Sequence, residues 1–446
     1  MTHQTTFLSG VIEGFYGPPW STIERLELFD QLSALGLNTY MYAPKDDLKH
    51  RVLWRQSYSP EQCQSLREMI QACHARGLRY IYALSPGLDM CFSDSSEMDL
   101  LLGRLSQVES LGCCDFALLF DDIPDVMQDR DRERFGSFAS AQCWVTNVAF
   151  REIQRRHSGS RFLFCPTPYC GRMQQRQLGG ANYLQTVGQE LDMGIDVFWT
   201  GPEIISQSIT PKDLECVTVW LRRKPLIWDN LHANDYDGRR WYSGPYAGRP
   251  LETRDRVSGI LINPNCEYPI NYVPVRTFAD YVCCQGDWNP RQSYLAALEQ
   301  WWPRFDTPSG AISIEDLIQL CDCYYLPHEE GPGAERLYQA AATLADSSQD
   351  RWPENAAAFE HLAKPLRRTC AEIANLYDRS LFAALGRRTW ELREELDLLL
   401  AFVRCRQQSP TAALQSDYHL PLTYRGGLVP RLQRLSKQNS DATFTF

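Results

Sequence analysis

The sequence predicts an α/β chain, a (β/α)8 TIM barrel followed by an all-α helical bundle. Three observations lead there. Eight short apolar runs recur along the first 290 or so residues, with helix-like segments between them. The runs are continuous rather than alternating, which is how strands buried on both faces read. Beyond about residue 290 the strand signal stops and only helical periodicity is left.

In order, the runs are FLSGVIEG (7–14), TYMYAP (39–44), YIYALSP (80–86), FALLFDD (116–122), FLFCPTPY (162–169), DVFWTGP (196–202), LIWDN (226–230) and GILINPN (259–265). The segments between them carry helix-start chemistry. In STIE, Ser21 and Glu24 predict a capping box. In SPEQ, Ser59 caps, Pro60 takes the first helical position and Gln62 closes the box. Leu26, Phe29, Leu32 and Leu35 then form one apolar stripe, and Leu66, Ile70 and Cys73 another. Gly36 and Gly77 follow where a left-handed C-cap is expected. A doubly wound open sheet is the rival fold. It carries a glycine-rich phosphate turn after its first strand, and GVIEGFYG is not GxGxxG.

The domains expected are a catalytic barrel over 1–290, a helical domain over 291–436 and a polar, frayed tail over 437–446. In the helical part, EDLIQLCDCYYL, the segment 353–378 and the segment 381–403 read as helices. Leu381, Leu385, Leu392, Leu396, Leu399 and Val403 give the last one its core stripe, and Pro365 should kink or split the one before it.

Composition narrows the function. A net charge of −10 argues against nucleic acid or an anionic membrane as the partner. No stretch approaches the roughly 18 uninterrupted apolar residues of a membrane span. The N-terminus has neither the basic n-region nor the apolar h-region of a secretory leader. The 16 cysteines show no paired CxxC spacing, so they read as reduced thiols in a cytoplasmic protein rather than a zinc site or a disulfide scaffold.

In such a barrel, chemistry collects at the C-terminal ends of the strands. Those ends deliver Glu13 and Gly14; Lys45 with Asp46 and Asp47; Ser85-Pro86-Gly87; Asp121 and Asp122; Tyr169; Thr200; Trp228 and Asn230 with Asp235 beyond; and Asn263 and Asn265. Hydrogen-bonding groups and aromatic rings dominate, a mixture suited to a neutral polyhydroxylated ligand. Each residue alone has a plainer explanation: Trp228 as core, Asn263 as a turn residue, Lys45 as a solvated or ion-paired side chain. Their meeting at one rim favours a site. Of the eight histidines only His232 falls near a strand end, which disfavours zinc. A hard cation on Asp46, Asp47, Asp121 and Asp122 is the metal option left open.

The adjacent acids in FALLFDDI suggest the chemistry. Two carboxylates crowded at a barrel mouth should raise one pKa, which suits a general acid, though a solvated turn or helix N-cap is the plain alternative. Consecutive residues on one strand end have difficulty flanking a sugar from opposite faces, as the two carboxylates of an ordinary glycosidase do. A 2-acetamido sugar supplies the missing nucleophile in its own amide oxygen, which can close on C1 to give an oxazoline.

GVIEGFYGPPW, YAPKDDLKHRVLWR, YALSPG, FALLFDDI, FLFCPTPYCG, VFWTGP, IWDNLHANDYD and LINPNCE together resemble glycoside hydrolase family 84, the protein O-GlcNAcases. The resemblance implies a (β/α)8 barrel and retaining, substrate-assisted hydrolysis with no metal and no cofactor. By it, Asp121 orients the acetamido group and Asp122 is the general acid/base. Tyr169 contacts the acetamido group, and Trp228 lines the pocket for its methyl with Cys165, Thr200 and Ile204 nearby. Gly14 (through its backbone), Lys45, Asn230, Asp235 and Asn263 hold the hydroxyls. IEDLIQLCDCYYLPHEEGP (314–332) is similar to the start of the family's helical stalk, which implies a homodimer through the helical domain. The long insert and the acetyltransferase-like domain of the animal enzymes have no counterpart in this sequence, so no acetyltransferase role is carried over.

The function implied is removal of O-linked GlcNAc from Ser or Thr of proteins. One alternative is a β-N-acetylhexosaminidase acting on small or polymeric glycosides such as chitobiose or cell-wall fragments. Another is a non-catalytic GlcNAc-binding protein, which predicts loss of an acid at the fourth strand end, yet both acids are present. An aldolase-type Schiff base at Lys45 is a weaker fourth idea.

Overall fold

In the computed structural model, which describes residues 6–124, 126–409, 414–415, 426–438 and 443–445, eight parallel strands close into a barrel. They are β1 (Leu8–Glu13), β2 (Thr39–Tyr42), β3 (Arg79–Leu84), β4 (Asp115–Leu119), β5 (Phe162–Cys165), β6 (Ile195–Trp199), β7 (Leu226–Asp229) and β8 (Gly259–Ile262). Neighbours pair in sequence order, and β8 closes on β1 with Leu8 opposite Gly259 and Val11 opposite Ile262. Every strand coincides with one of the predicted apolar runs.

Alternate strand residues fill the barrel interior, among them Met41 and Ala43, Ala117 and Leu119, and Leu163 and Cys165. Strands approach too closely at one point for any side chain but hydrogen. A Cβ on Gly10 would lie 1.7 Å from the Thr39 carbonyl oxygen of β2.

Both predicted capping boxes form, Ser21 with Glu24 at helix Thr22–Ala34 and Ser59 with Gln62 at helix Pro60–Ala75. Gly36 and Gly77 follow these helices with φ of +73° and +74°. The first stripe is centred slightly differently from the expectation. Leu28, Phe29 and Leu32 are buried, whereas Leu26 and Leu35 are only half-buried. Strand and helix do not alternate strictly either, because β7 and β8 are joined by a 3₁₀ turn, Leu251–Arg256, within a long connection.

By packing, the chain divides into two compact units. The first is Met1–Ala233, Tyr246–Cys266 and Phe278–Trp288; the second is Asn234–Pro245, Glu267–Thr277 and Asn289–Phe446. The second unit contains the helices Pro290–Trp301, Ile314–Asp322, Pro332–Ala345, Trp352–Glu372 and Arg379–Gln408. The predicted stripe from Leu381 to Val403 is buried in the last of these. Pro365 lies inside an unbroken helix rather than splitting it. The Pro332–Ala345 helix was not anticipated. Within this unit, Trp241 stacks on Tyr324 at 5.1 Å, and the Ser243 hydroxyl donates to the carbonyls of Cys321 (3.0 Å) and Tyr324 (3.1 Å).

In the tail expected to fray, Thr443–Thr445 pairs antiparallel with Lys437–Gln438 on one side and Leu414–Gln415 on the other, and residues 439–442 and 446 lie outside the described residues. Among the described residues, no helix is long and apolar enough to cross a membrane.

Candidate active site

Strand alternation dictates which rim residues turn inward. Extending the interior positions by two residues reaches Gly14 from Ile12, Lys45 from Ala43, Asp121 from Leu119, Thr200 from Phe198, Trp228 and Asn230 from Leu226, and Asn263 from Leu261. The same parity puts Asp229 on the opposite side. There its carboxylate takes Arg249 at 2.7 and 2.8 Å and the Tyr246 hydroxyl at 2.7 Å, a buried brace for the end of β7. Glu13 is likewise consumed structurally. Arg25 grips it at 2.8 and 2.7 Å, and the Trp20 amide and Tyr40 hydroxyl donate to it.

Asp121 is buried, and its Oδ2 accepts from Lys45 Nζ at 2.5 Å. Its Oδ1 is also buried and has no hydrogen-bond partner. Burial works to raise this carboxyl, but the charge and hydrogen bond of Lys45, helped by the charge of Arg51, outweigh it and hold the group below the usual carboxylate range. The crowding expected to raise one of the two pKa values does not raise that of Asp121, which Lys45 keeps ionised. Lys45 Nζ is committed to this pair, in contrast to the free amine that a Schiff base needs.

Asp122 lies on the wrong parity for the interior, and its backbone corrects for that. It has φ +48°, a left-handed conformation uncommon outside glycine. The exposed side chain receives hydrogen bonds from Tyr169 (to Oδ1, 3.0 Å) and from Tyr16 (to Oδ2, 3.1 Å). The two neighbouring acids thus have separate partners and separate environments.

The remaining rim residues form a continuous chain of bonds. The Gly14 amide donates to Asn263 Oδ1 at 3.3 Å, and Asn263 Nδ2 donates to Asn230 Oδ1 at 3.0 Å. Trp228 Nε1 donates to the same Asn230 oxygen at 3.0 Å, while Asn230 Nδ2 donates to the Ile204 carbonyl at 2.9 Å. Trp228 packs edge-on against Phe198, with Lys45 Nζ 5.9 Å from its ring centroid. Gly14 leaves room for that indole, since a Cβ there would lie 2.5 Å from Trp228 Cζ2. Cys165, Tyr169, Trp228 and Ile204 belong to one apolar cluster. Burial, with the charge of Asp121 adding to it, pushes the Cys165 thiol well above the usual range, so it stays protonated. The Thr200 hydroxyl donates to the Glu203 carbonyl at 2.7 Å.

Asp235 is the member of the predicted set that falls outside the barrel unit; it is half-buried in the stretch 234–245. Of the acids considered for a hard cation, Asp47 is occupied by the hydroxyls of Tyr42 (2.8 Å) and Tyr58 (3.0 Å). Among the described residues, no group of three or more His, Cys, Asp or Glu side chains is placed to hold a metal ion.

The family model described as beta-N-acetylglucosaminidase matches residues 9–309. This chain belongs to the beta-N-acetylglucosaminidase family of glycoside hydrolases. It is 48% identical over 275 residues to the Protein O-GlcNAcases of Rattus norvegicus and Mus musculus, a match covering 62% of this chain and 30% of each relative. The chain therefore spans about 30% of the length of these curated relatives. Among solved structures, an aspartate-to-asparagine mutant of Thermobaculum terrenum O-GlcNAc hydrolase is 28% identical with a TM-score of 0.78, covering 90% of this chain and 84% of its own. The structure named CpGH84B shares the fold at 22% identity and a TM-score of 0.76, covering 91% of this chain and 70% of its own.

Three residues of this beta-N-acetylglucosaminidase-family barrel escaped the sequence reading as site residues. Tyr16 and Arg51 stand in the quoted motifs GFYG and KHRVLWR, yet neither falls at a strand end. His50 is fully buried in the loop that follows β2, its Nδ1 at 2.7 Å from the Ala83 carbonyl. Burial, and after it the charge of Lys45, lower its pKa to about 4, so the imidazole is neutral. A family member with this rim holds one buried, ionised acid beside a second, exposed acid that takes the hydroxyls of Tyr16 and Tyr169.

Proposed function

We propose that this chain is a retaining exo-β-N-acetylglucosaminidase that removes O-linked GlcNAc from serine and threonine of proteins through an oxazoline intermediate. The observation that carries the reading is Asp121, ionised against Lys45 with a second oxygen that is buried and has no donor. A buried carboxylate oxygen without a donor costs at least ~1–3 kcal/mol, which an arriving N–H offsets. The acetamido N–H of a GlcNAc residue is such a donor.

With Asp121 accepting that N–H, the amide oxygen becomes more nucleophilic and attacks C1. The C1–O bond to the leaving group breaks, and protonated Asp122 gives its proton to the departing oxygen. Asp122, now a carboxylate, takes a proton from water as that water adds to C1 and opens the oxazoline. Tyr169 reaches the acetamido group. Trp228, Cys165, Thr200 and Ile204 wall its methyl, with Thr200 contributing an apolar surface because its hydroxyl is already engaged. Gly14, Lys45, Asn230 and Asn263 serve the hydroxyls, Lys45 with the donors it does not use on Asp121. Similarity to proteins named Protein O-GlcNAcase and O-GlcNAc hydrolase supports a glycosylated protein as substrate. A homodimer through residues 291–436 and a cytoplasmic location complete the reading; a monomeric mass in sedimentation at micromolar concentration removes the dimer.

Turnover of a GlcNAc-modified peptide, measured beside chitobiose, tests the substrate. The peptide should be cleaved far faster, and faster cleavage of chitobiose moves the chain to the small-glycoside reading. Asp122→Asn should lose poor leaving groups by about 10²–10⁴ while sparing activated aryl glycosides more, whereas Asp121→Asn should damage both. Equal cleavage of a 2-hydroxy glucoside would remove the oxazoline from the mechanism.

A further inference from the structure

Asp122 has a second set of neighbours that the reaction scheme does not use. Arg51 is buried, and its guanidinium forks between two acceptors. Nη2 donates to the Asp122 carbonyl at 2.8 Å, and Nη1 donates to the Tyr16 hydroxyl at 2.7 Å. Tyr16 in turn donates a hydrogen bond to Asp122 Oδ2 at 3.1 Å, and the guanidinium carbon lies 5.6 Å from the Tyr16 ring centroid. One cation thus grips both the left-handed backbone of Asp122 and the hydroxyl that orients its carboxylate. The triangle joins the loops that follow three strands: Tyr16 after β1, Arg51 after β2 and Asp122 after β4.

We propose that Arg51 and Tyr16 are positioning residues for Asp122, holding its backbone carbonyl in the left-handed turn and supplying a polarised donor to its carboxylate. The proposal rests on the reading of Asp122 as general acid/base. A guanidinium suits the task because its planar fork reaches two acceptors at once, as an ammonium does not. The strained φ of Asp122 needs support from outside its own strand, and Arg51 provides it. Tyr16 is held neutral, since burial and then the negative charge of Asp122 push its hydroxyl well above the usual range. It therefore acts as a donor throughout.

The charged and titratable groups around Asp122 set the sign of the expected pH effect: Tyr16, Arg51 and Tyr169 bond to it, and Cys165, Asp121 and Lys45 lie in the same cluster of interacting groups. A nearby cation and a hydroxyl donor both stabilise a carboxylate, so removing either is expected to carry the basic limb to higher pH.

The test compares wild type, Arg51→Met, Tyr16→Phe and Asp122→Asn on an aryl GlcNAc glycoside with a good leaving group and one with a poor leaving group, across pH. Arg51→Met should lose about tenfold or more on the poor leaving group and much less on the good one. Its basic limb of kcat/KM should move up by about half a pH unit or more. Tyr16→Phe, which keeps the bond from Arg51 to the carbonyl, should show the same upward movement with a smaller loss. Equal losses on both substrates with an unmoved basic limb overturn the proposal. If Arg51→Met does not fold, an unmoved limb in Tyr16→Phe does so. The Asp122→Asn arm separates the failures: no leaving-group discrimination there sinks the general-acid reading itself, while discrimination there and none in Arg51→Met sinks only the positioning pair.

Discussion

Lys45 and Asp121 show how a site residue is found from sequence before its partner is. Their positions were legible, because each continues the inward face of its strand two residues past the end. Their pairing was not, since it joins residues 76 apart through a barrel that periodicity alone cannot assemble. The same gap hid what keeps Asp121 ionised, a lysine from another strand. Lys45→Met should leave burial as the dominant influence and raise the Asp121 pKa. The acidic limb of kcat/KM should then move to higher pH, with activity at neutral pH down at least about tenfold. An acidic limb that stays in place separates Asp121 ionisation from catalysis. The pair also bears on stability. Because the folded pKa is depressed, its contribution is present above the ordinary carboxylate range and is lost as pH falls through the folded value.

The elements were legible where local chemistry decides them. Continuous apolar runs located all eight strands, since two-sided burial leaves no room for alternation. Serine with glutamate or glutamine three residues on located two helix starts. The Pro332–Ala345 helix escaped because its buried face is largely Gly333, Ala334 and Ala341, too small to stand out as a stripe. Tyr16, Arg51 and His50 escaped because they come from loops whose course no pattern predicts. Gly10→Ala probes the barrel itself. Its methyl would meet a backbone oxygen that cannot rotate away, so the register of β1 on β2 must break. Stability should fall by at least about 3 kcal/mol, seen as a large drop in Tm or loss of soluble protein. A Tm within two or three degrees of wild type, about 1 kcal/mol or less, contradicts that close approach.

At the scale of the whole molecule, the second unit carries its own pH dependence. Glu395, on helix Arg379–Gln408, is 2% exposed, and its Oε1 has no partner. Burial raises its pKa to about 7. A carboxyl with a raised folded pKa adds stability at low pH and loses it as pH climbs from the unfolded value of about 4.5 through about 7. Glu395→Gln should therefore raise Tm at about pH 8, worth roughly 1–3 kcal/mol, and change little near pH 5. An equal change at both pH values rules out burial of the charge as the cause.

A cut after residue 290 separates chain segments that pack together, because 234–245 and 267–277 belong to the second unit. A fragment spanning 1–290 should retain Trp241 and Ser243 without Tyr324 and Cys321, their partners, and should aggregate or expose indole fluorescence to water. A soluble fragment with unchanged Trp emission contradicts this.

This threading also bears on how such proteins can be recombined. A hybrid that grafts the helices of one relative onto the barrel of another needs five matched crossovers, since two excursions from the barrel travel with the helices. Joining the parents at a single seam would transplant a lock without its keys.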